Sequence, residues 1–214
     1  MPFTDRLEAG NRLAEKLAHY HGQNPLILAV PRGGVAVAEP ILEKIGGELD
    51  LIITRKIGAP HQRELAIGAV TGDGYAMLND ELISRLGIFP DYVRKARDKE
   101  VEEIARRLRL YRGDRPEPKY EGRPVILVDD GVATGYTLLA ALRSLQEKKL
   151  EKLVLAVPVG PPETFRKLEK EVDELIFLEA PEDFAAVGQF YLKFDQVSDS
   201  SVADTLNRAW SGNR

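Results

Sequence analysis

The chain has 214 residues, with 30 basic and 34 acidic side chains, a formal net charge of −4, no cysteine and three histidines. That composition excludes disulfide frameworks, cysteine nucleophiles and Cys-based zinc sites, and it leaves too few histidines for a multi-histidine catalytic metal centre. An acidic balance argues against a surface built for nucleic acid or anionic membrane, although it leaves room for a local anion pocket. At 43% hydrophobic and 30% charged residues the chain is of globular type. No apolar run approaches the roughly 18 residues that span a bilayer. The polar opening, with Asp5, Arg6 and Glu8, is unlike a signal peptide, so the expectation is a soluble, cytoplasmic protein.

In chain order, Leu7, Leu13, Ala14 and Leu17 form an apolar stripe that predicts a helix from Thr4, as its N-cap, to about Tyr20. Leu26 to Val30 is a short continuous apolar run and predicts a buried strand. Pro31-Arg32-Gly33-Gly34 reads as a turn, Val35 to Ile45 as a helix stopped by Gly46-Gly47, and Leu49 to Thr54 as a second strand that ends at Arg55-Lys56. Ile57 to Leu65, with Gly58, Pro60, His61 and Gln62, reads as a loop. Gly72-Asp73-Gly74 between Ala66–Thr71 and Tyr75–Asn79 predicts a hairpin.

Pro90 to Arg112 predicts a charged helix with Val101, Ile104, Leu108 and Tyr111 on one face. Its interspersed Arg, Lys, Asp and Glu side chains read as a solvated salt-bridge face. Val125 to Val128 is a third buried strand, ending at Asp129-Asp130, and Gly131 to Gly135 is a tight loop before a helix from Tyr136 to Lys148. A strand at Lys152–Val157, a helix opened by Pro161-Pro162 and running through Lys170, a strand at Leu175–Leu178 and a short helix at Val202–Trp210 complete the pattern. Alternating strands and helices predict an α/β fold with a mostly parallel sheet. Ligands of such sheets bind beyond the carboxyl ends of the strands, where residues 31, 55 and 129 all fall.

The stretch from Val125 to Thr137, VILVDDGVATGYT, carries the chemistry. A strand delivers two adjacent carboxylates, a small-residue turn follows, and a helix begins at once. The helix N-terminus offers unpaired N–H groups and partial positive charge, while Thr134 and Thr137 add hydroxyl donors. Together these suit a phosphate monoester. The two acids would repel that phosphate, so they fit a ribose diol or a bound cation. Neither a G-x-x-x-x-G-K-[ST] loop nor a G-x-G-x-x-G turn after a strand is present, which argues against a P-loop NTPase and a dinucleotide fold.

This stretch resembles the phosphoribosyl pyrophosphate (PRPP) binding motif of type I phosphoribosyltransferases. The pairing of Pro31-Arg32-Gly33-Gly34 with VDDGVATG is similar to the phosphoribosyltransferase domain-containing group of bacterial and archaeal proteins. The resemblance runs from about residue 26 to 178. It implies a type I core of mostly parallel sheet flanked by helices, over about 25–178, with a helical insert at 80–118. A small hood lobe would come from about 1–24 and 179–214, the whole forming a single domain over 1–214.

The resemblance also implies roles. Asp129 and Asp130 would hold the ribose 2′ and 3′ hydroxyls. Ala133, Thr134, Gly135, Tyr136 and Thr137 would cradle the 5′-phosphate. Arg32, Gly33, Gly34, Arg55 and Lys56 would hold pyrophosphate, with Mg²⁺ carried by PRPP near Asp129 and Asp130 rather than bound directly by the protein. The mobile loop of that family corresponds to Ile57–Leu65 and the hairpin after it; Glu64 is the candidate for activating the acceptor or stabilising the ribosyl cation, and closure would exclude water. Phe184 and Tyr191, with Phe190 and Phe194, would either wall the acceptor pocket or fill the core of the lobe.

The chain departs from 6-oxopurine members of the family at two places. Ala133 stands where they carry Asp, and Val157-Pro158-Val159 where they carry Lys. Both departures count against hypoxanthine and guanine as acceptors, and the Ala-Thr-Gly loop is compatible with adenine- and uracil-type members. The activity implied is that of a PRPP-dependent pentosyltransferase joining ribose C1 to a nitrogen acceptor, in the manner of nucleotide salvage. Its partners would be small molecules, and by analogy it would be a homodimer. Two alternatives stay open: a PRPP- or nucleotide-sensing regulator without transfer activity, and a phosphoesterase-like enzyme using the same cradle.

Overall fold

The computed structural model describes residues 2–211; Met1 and residues 212–214, the outer ends of the expected lobe, lie outside the described residues. Five strands form one parallel sheet in the order β2-β1-β6-β7-β8. They are β1 (Leu26–Ala29), β2 (Glu48–Leu51), β6 (Pro124–Val128), β7 (Lys152–Val159) and β8 (Glu174–Glu179). Every residue of β1 and β6 is buried, as expected where helices cover both faces of a parallel sheet.

One face is covered by α1 (Arg6–Lys16), α2 (Gly33–Ile45) and α7 (Asp199–Ser211), the other by α5 (Tyr136–Gln146) and α6 (Pro162–Leu168), while α4 (Pro90–Arg112) packs on α7 and on the second sheet. A second, antiparallel sheet β3-β4-β5 comprises β3 (Thr54–Ala59), β4 (Gln62–Thr71) and β5 (Ala76–Leu78). The short helix α3 (Asp80–Arg85) follows it.

The parallel α/β architecture is as expected from the sequence. So are the hairpin at Gly72–Gly74, between β4 and β5, and the long helix α4 from Pro90 to Arg112. Ile104 and Tyr111 of its stripe are buried, Val101 and Leu108 pack against the same core, and Glu103 bonds both Arg106 and Arg107 on the outer face.

Other expectations need correction. The N-cap of α1 is Asp5, not Thr4. Its carboxylate accepts the Glu8 N–H at 2.9 Å, and a charged acceptor complements the helix dipole. That helix stops at Lys16, and Ala18–Tyr20 forms a separate 3-10 turn. Gly33 and Gly34 belong to the first turn of α2 rather than to a turn before it. Val30, Pro31 and Arg32 make the connection, the last two joined by a cis peptide.

The second core strand ends at Leu51. Ile52 donates one last ladder bond to the Ala29 carbonyl at 3.1 Å before the chain leaves the sheet. Arg55 and Lys56 therefore lie inside β3 of the second sheet and not at the end of a core strand. The segment 57–65 is not a loop either. It forms most of a hairpin of β3 and β4 that turns at Pro60-His61, with a register shift on either side of Gly58. Gly58 and Pro60 suggested a loop, but buried Ile57, Ala59, Ile67 and Ala69 follow the period-2 burial of strands. Helix α3 opens the expected helical insert at 80–118 as a separate element; at six residues it is too short to show a helical period, and Asn79 caps it by accepting the Leu82 N–H at 2.9 Å.

Residues 3–4 meet residues 190–193 of the C-terminal segment. Phe3 donates a backbone bond of 2.7 Å to the Phe190 carbonyl, Leu192 donates to the Phe3 carbonyl at 2.8 Å, and the Phe3 and Tyr191 rings pack at 5.3 Å.

Candidate active site

Strand β6 ends at Val128, and Asp129 and Asp130 follow at its carboxyl end. The Asp129 carboxylate accepts the Asp130 N–H at 2.8 Å. The α2 N-terminus is pressed directly onto these acids. A Cβ on Gly33 would lie 1.9 Å from Asp130 Oδ2, and one on Gly34 would lie 2.7 Å from the Val128 carbonyl. The two glycines are thus required by close approach, not by backbone conformation.

Asp130 is gripped by the N- and C-terminal segments. Arg6 Nε donates to its Oδ2 at 2.7 Å, and the Tyr191 hydroxyl donates to its backbone carbonyl at 2.6 Å. Burial pushes the carboxyls of both acids above the usual range. The charge of Asp130 pushes Asp129 further, and Arg6 opposes the rise at Asp130.

Beyond the acids, the inner side of the loop at 131–135 is fastened. Val132 donates to the Val159 carbonyl at 2.9 Å, and Thr164 Oγ1 donates to the Ala133 carbonyl at 2.7 Å. Gly135 opens α5 in the left-handed region, at φ +77°, where a side chain would be strained. Ala133, Thr134 and Tyr136 are exposed and Thr137 is half-buried. The first-turn N–H groups of α5 have no acceptor within the helix, so the loop ends in an open, partly positive concavity.

Arg32 stands at the acids with its guanidinium 3.7 Å from Asp199. Lys56 lies across a cleft of about 660 Å³ from the cradle, sharing its walls with Thr134, Tyr136, Leu139 and Arg143. Arg55 is not brought to this place. Strand alternation turns it to the other face of β3, where its Nε bonds Glu100 of α4. Glu64 is exposed on β4, with no ion-pair or hydrogen-bond partner among the described residues. Tyr191 is buried in a cluster with Phe3, Ala9 and Val159, and Phe184 stacks on Phe190 at 5.3 Å, so neither forms an open wall.

A separate cavity of about 380 Å³ beside Asp130 is lined by Arg6, Arg32, Gly33, Phe194 and Asp195, among others. Its key side chain, Arg6, was missed from the sequence. The available signal is that a cation occupies the first position of α1, where the helix dipole disfavours it.

Comparison with known proteins decides the family. A model of the phosphoribosyl transferase domain matches residues 4–195. The chain belongs to the phosphoribosyl transferase domain family. A Mycobacterium tuberculosis protein, named "putative phosphoribosyl transferase" in strains CDC 1551 and H37Rv, is 38% identical over 207 residues, covering 97% of this chain and 47% of its own length. The chain thus spans about half the length of the curated relatives it matches. The crystal structure of TT1426 from Thermus thermophilus is 39% identical, with a TM-score of 0.83, and the match covers 98% of this chain and 99% of that one. Within the phosphoribosyl transferase domain, Asp129, Asp130, Arg32, Gly33 and Gly34 converge at one place, Lys56 faces the cradle at 133–137, and Arg55 and Phe184 are engaged elsewhere.

Proposed function

We propose that this protein transfers the phosphoribosyl group of PRPP to a ring nitrogen of a small acceptor, a nucleobase or a related heterocycle. The observation that carries the reading is the packing of Gly33 and Gly34 onto Asp129 and Asp130, with the open first turn of α5 immediately beyond. The cradle at 133–137 would take the 5′-phosphate through backbone amides and the hydroxyls of Thr134 and Thr137. Asp129 and Asp130 would accept hydrogen bonds from the ribose hydroxyls. The α2 N-terminus, Arg32 and Lys56 would face the departing pyrophosphate.

In the transfer the nitrogen lone pair forms the N–C1 bond as the C1–O bond to pyrophosphate breaks. The bonding pair leaves with pyrophosphate, and the nitrogen's proton passes to solvent. Most of the rate would come from orientation and electrostatics rather than covalent chemistry. Glu64 remains the candidate for activating the acceptor, by relaying that proton to solvent, or for stabilising the ribosyl cation, either of which requires the β3–β4 hairpin to lie over the ribose.

Among the described residues no group of three or more His, Cys, Asp and Glu could hold a metal ion. The carboxylate oxygens of Asp129 and Asp130 are hard donors, which suits a hard cation such as Mg²⁺ carried on the pyrophosphate of PRPP. When bound, that ion supplies charge neutralisation to the leaving group. No helix among the described residues is long and apolar enough to cross a membrane.

The test is pyrophosphate release from PRPP and Mg²⁺ across a panel of heterocyclic bases. Release with at least one base, and PRPP affinity reduced at least about tenfold in Asp130→Asn, is the expected result. PRPP binding without turnover for any base would point to a sensor. Absence of PRPP binding overturns the proposal.

A further inference from the structure

We infer that the 380 Å³ cavity beside Asp130 is the acceptor subsite and that Arg6 selects a nitrogen heterocycle bearing a carboxylate. This rests on the transfer reading above, since it names the substrate class of the same site. The cavity lies against Asp130, the ribose-holding acid, and against Arg32 and Gly33 of the pyrophosphate side. A group seated there is next to the carbon at which ribose and pyrophosphate part.

Recognition in this cavity falls to polar groups rather than to stacking. Phe194 is the one aromatic ring on its wall, and the Arg6 guanidinium already lies over that ring, 3.8 Å from its centre, while Tyr191 packs against it at 5.0 Å. Arg6 is held from three directions: Nε on Asp130 at 2.7 Å, Nη1 on the Asp195 carbonyl at 2.8 Å, and its face on Phe194. Its side chain is only 12% exposed. A guanidinium has five N–H donors in a fixed plane, and these contacts use two. Nη2 has no partner among the described residues.

A pinned cation with unspent donors suits a planar anion, and above all a carboxylate, which takes two parallel N–H bonds. The carboxylates on the cavity wall do not cancel this preference. Asp130 is committed to the ribose, and Asp195 meets Arg6 through its backbone carbonyl while its side chain is exposed. An acceptor that points an amino group at Arg6 would set donor against donor.

Two matched pairs of acceptors isolate the carboxylate: orotate against uracil, and nicotinate against nicotinamide. With PRPP and Mg²⁺ present, pyrophosphate release should favour the acid of at least one pair by about tenfold or more in kcat/KM. Arg6→Gln should erase that preference to within about threefold, while PRPP affinity, measured separately by calorimetry, falls by less than about tenfold, because Asp130 keeps its backbone bond to Tyr191 and its packing on Gly33. Arg6→Lys, which keeps the charge but not the fork, should retain part of the preference and also control for folding.

Equal use of acid and neutral partner by the unaltered protein overturns the inference and leaves the transferase reading intact. Loss of PRPP binding in both Arg6 variants, with native thermal unfolding, overturns it as well, by making Arg6 a PRPP residue. If the unaltered protein binds no PRPP, the transferase reading fails and this inference fails with it.

Discussion

Asp130 and Lys56 are both charged groups beside the cradle at 133–137, and the fold treats them in opposite ways. Asp130 is held by Arg6 from α1, has its backbone fixed by Tyr191 from the C-terminal segment, and is pressed by Gly33 of α2. Lys56 sits on an antiparallel hairpin outside the parallel sheet, exposed, with no ion-pair partner among the described residues. One half of the site is built into packed elements, where position is set by the core. The other half is carried on a hairpin whose inner face, with Ile57, Ala59, Ile67 and Val70, joins the main core, while Lys56 projects from its exposed face on a long side chain that can move alone. A reaction that must admit PRPP and then exclude water suits such a division. The following experiments, in order of expected effect on stability, test whether the division is real.

The joint between the sheet and the insert should be the most sensitive point. Asp50 of β2 is 1% exposed and takes both Nε and Nη2 of Arg112, from α4, on a single oxygen, at 3.1 and 2.9 Å. Burial raises the Asp50 carboxyl, and Arg112 opposes that rise. Removing one partner strands a buried charge, so Asp50→Ala should cost about 3–5 kcal/mol in urea unfolding. Replacing both, as Asp50→Leu with Arg112→Met, should recover most of that loss. If the single variant unfolds like the parent, α4 is not fastened here, and the hairpin that packs on it has no firm base.

Gly33→Ala attacks the packed half directly. The added Cβ falls 1.9 Å from Asp130 Oδ2, 2.5 Å from its Cγ and 3.1 Å from Arg6 Nε, so the carboxylate must move. A cost of about 1–3 kcal/mol is expected for such overpacking, together with loss of PRPP binding in a calorimetric titration. A stable variant that still binds PRPP would show that Asp130 is free to shift, and the contrast with Lys56 would lose its basis.

These two sites also mark what the sequence could and could not reveal. The local string from Val125 to Thr137 showed the acids, the cradle and the helix start, because strand, turn and helix follow one another without a gap. The stripe on α4 was legible because it repeats over several turns. The grip of Arg6 on Asp130 joins residues 124 positions apart, and no local pattern encodes which cation meets which acid. The β3–β4 hairpin was hidden because Gly58 interrupts its register and because Gly and Pro are read as breakers. That misreading also placed Arg55 and Lys56 together at a strand end, when strand alternation sends them to opposite faces.

Tyr111→Phe should have a smaller effect and carries a pH signature. The Tyr111 hydroxyl donates to Asp199 at 2.6 Å, and that carboxylate lies 3.7 Å from Arg32, so the bond links α4 and α7 to Arg32 at the start of α2. Its loss should cost about 1.5 kcal/mol. Burial, and then the bond to Asp199, push the phenol up to about 12. A folded value above the unfolded one, near 10, means that the stabilisation is complete below about pH 10 and is lost as pH rises through about 12. Thermal midpoints measured from about pH 9 upward should fall less steeply in the variant than in the parent. Tyr20, also raised to about 12 by burial and its bond to Glu174, keeps part of the slope. An unchanged slope would remove Tyr111 from this linkage.

Lys56→Ala should move stability least. An exposed side chain without a partner among the described residues gives changes within about 0.5 kcal/mol. Its charge nonetheless faces Thr134 and Tyr136 across the cleft, so pyrophosphate-forming turnover should drop about 10- to 100-fold, the lower part of the range seen when a group that stabilises developing charge is removed. Lys56→Arg keeps the charge at nearly the same reach and should restore a substantial part of the rate. Turnover lost with an unchanged thermal midpoint would place Lys56 in the chemistry and outside the packed core. A fall in midpoint equal to that of Gly33→Ala would instead make the Lys56 side chain part of the packed half, and the contrast with Asp130 would fail.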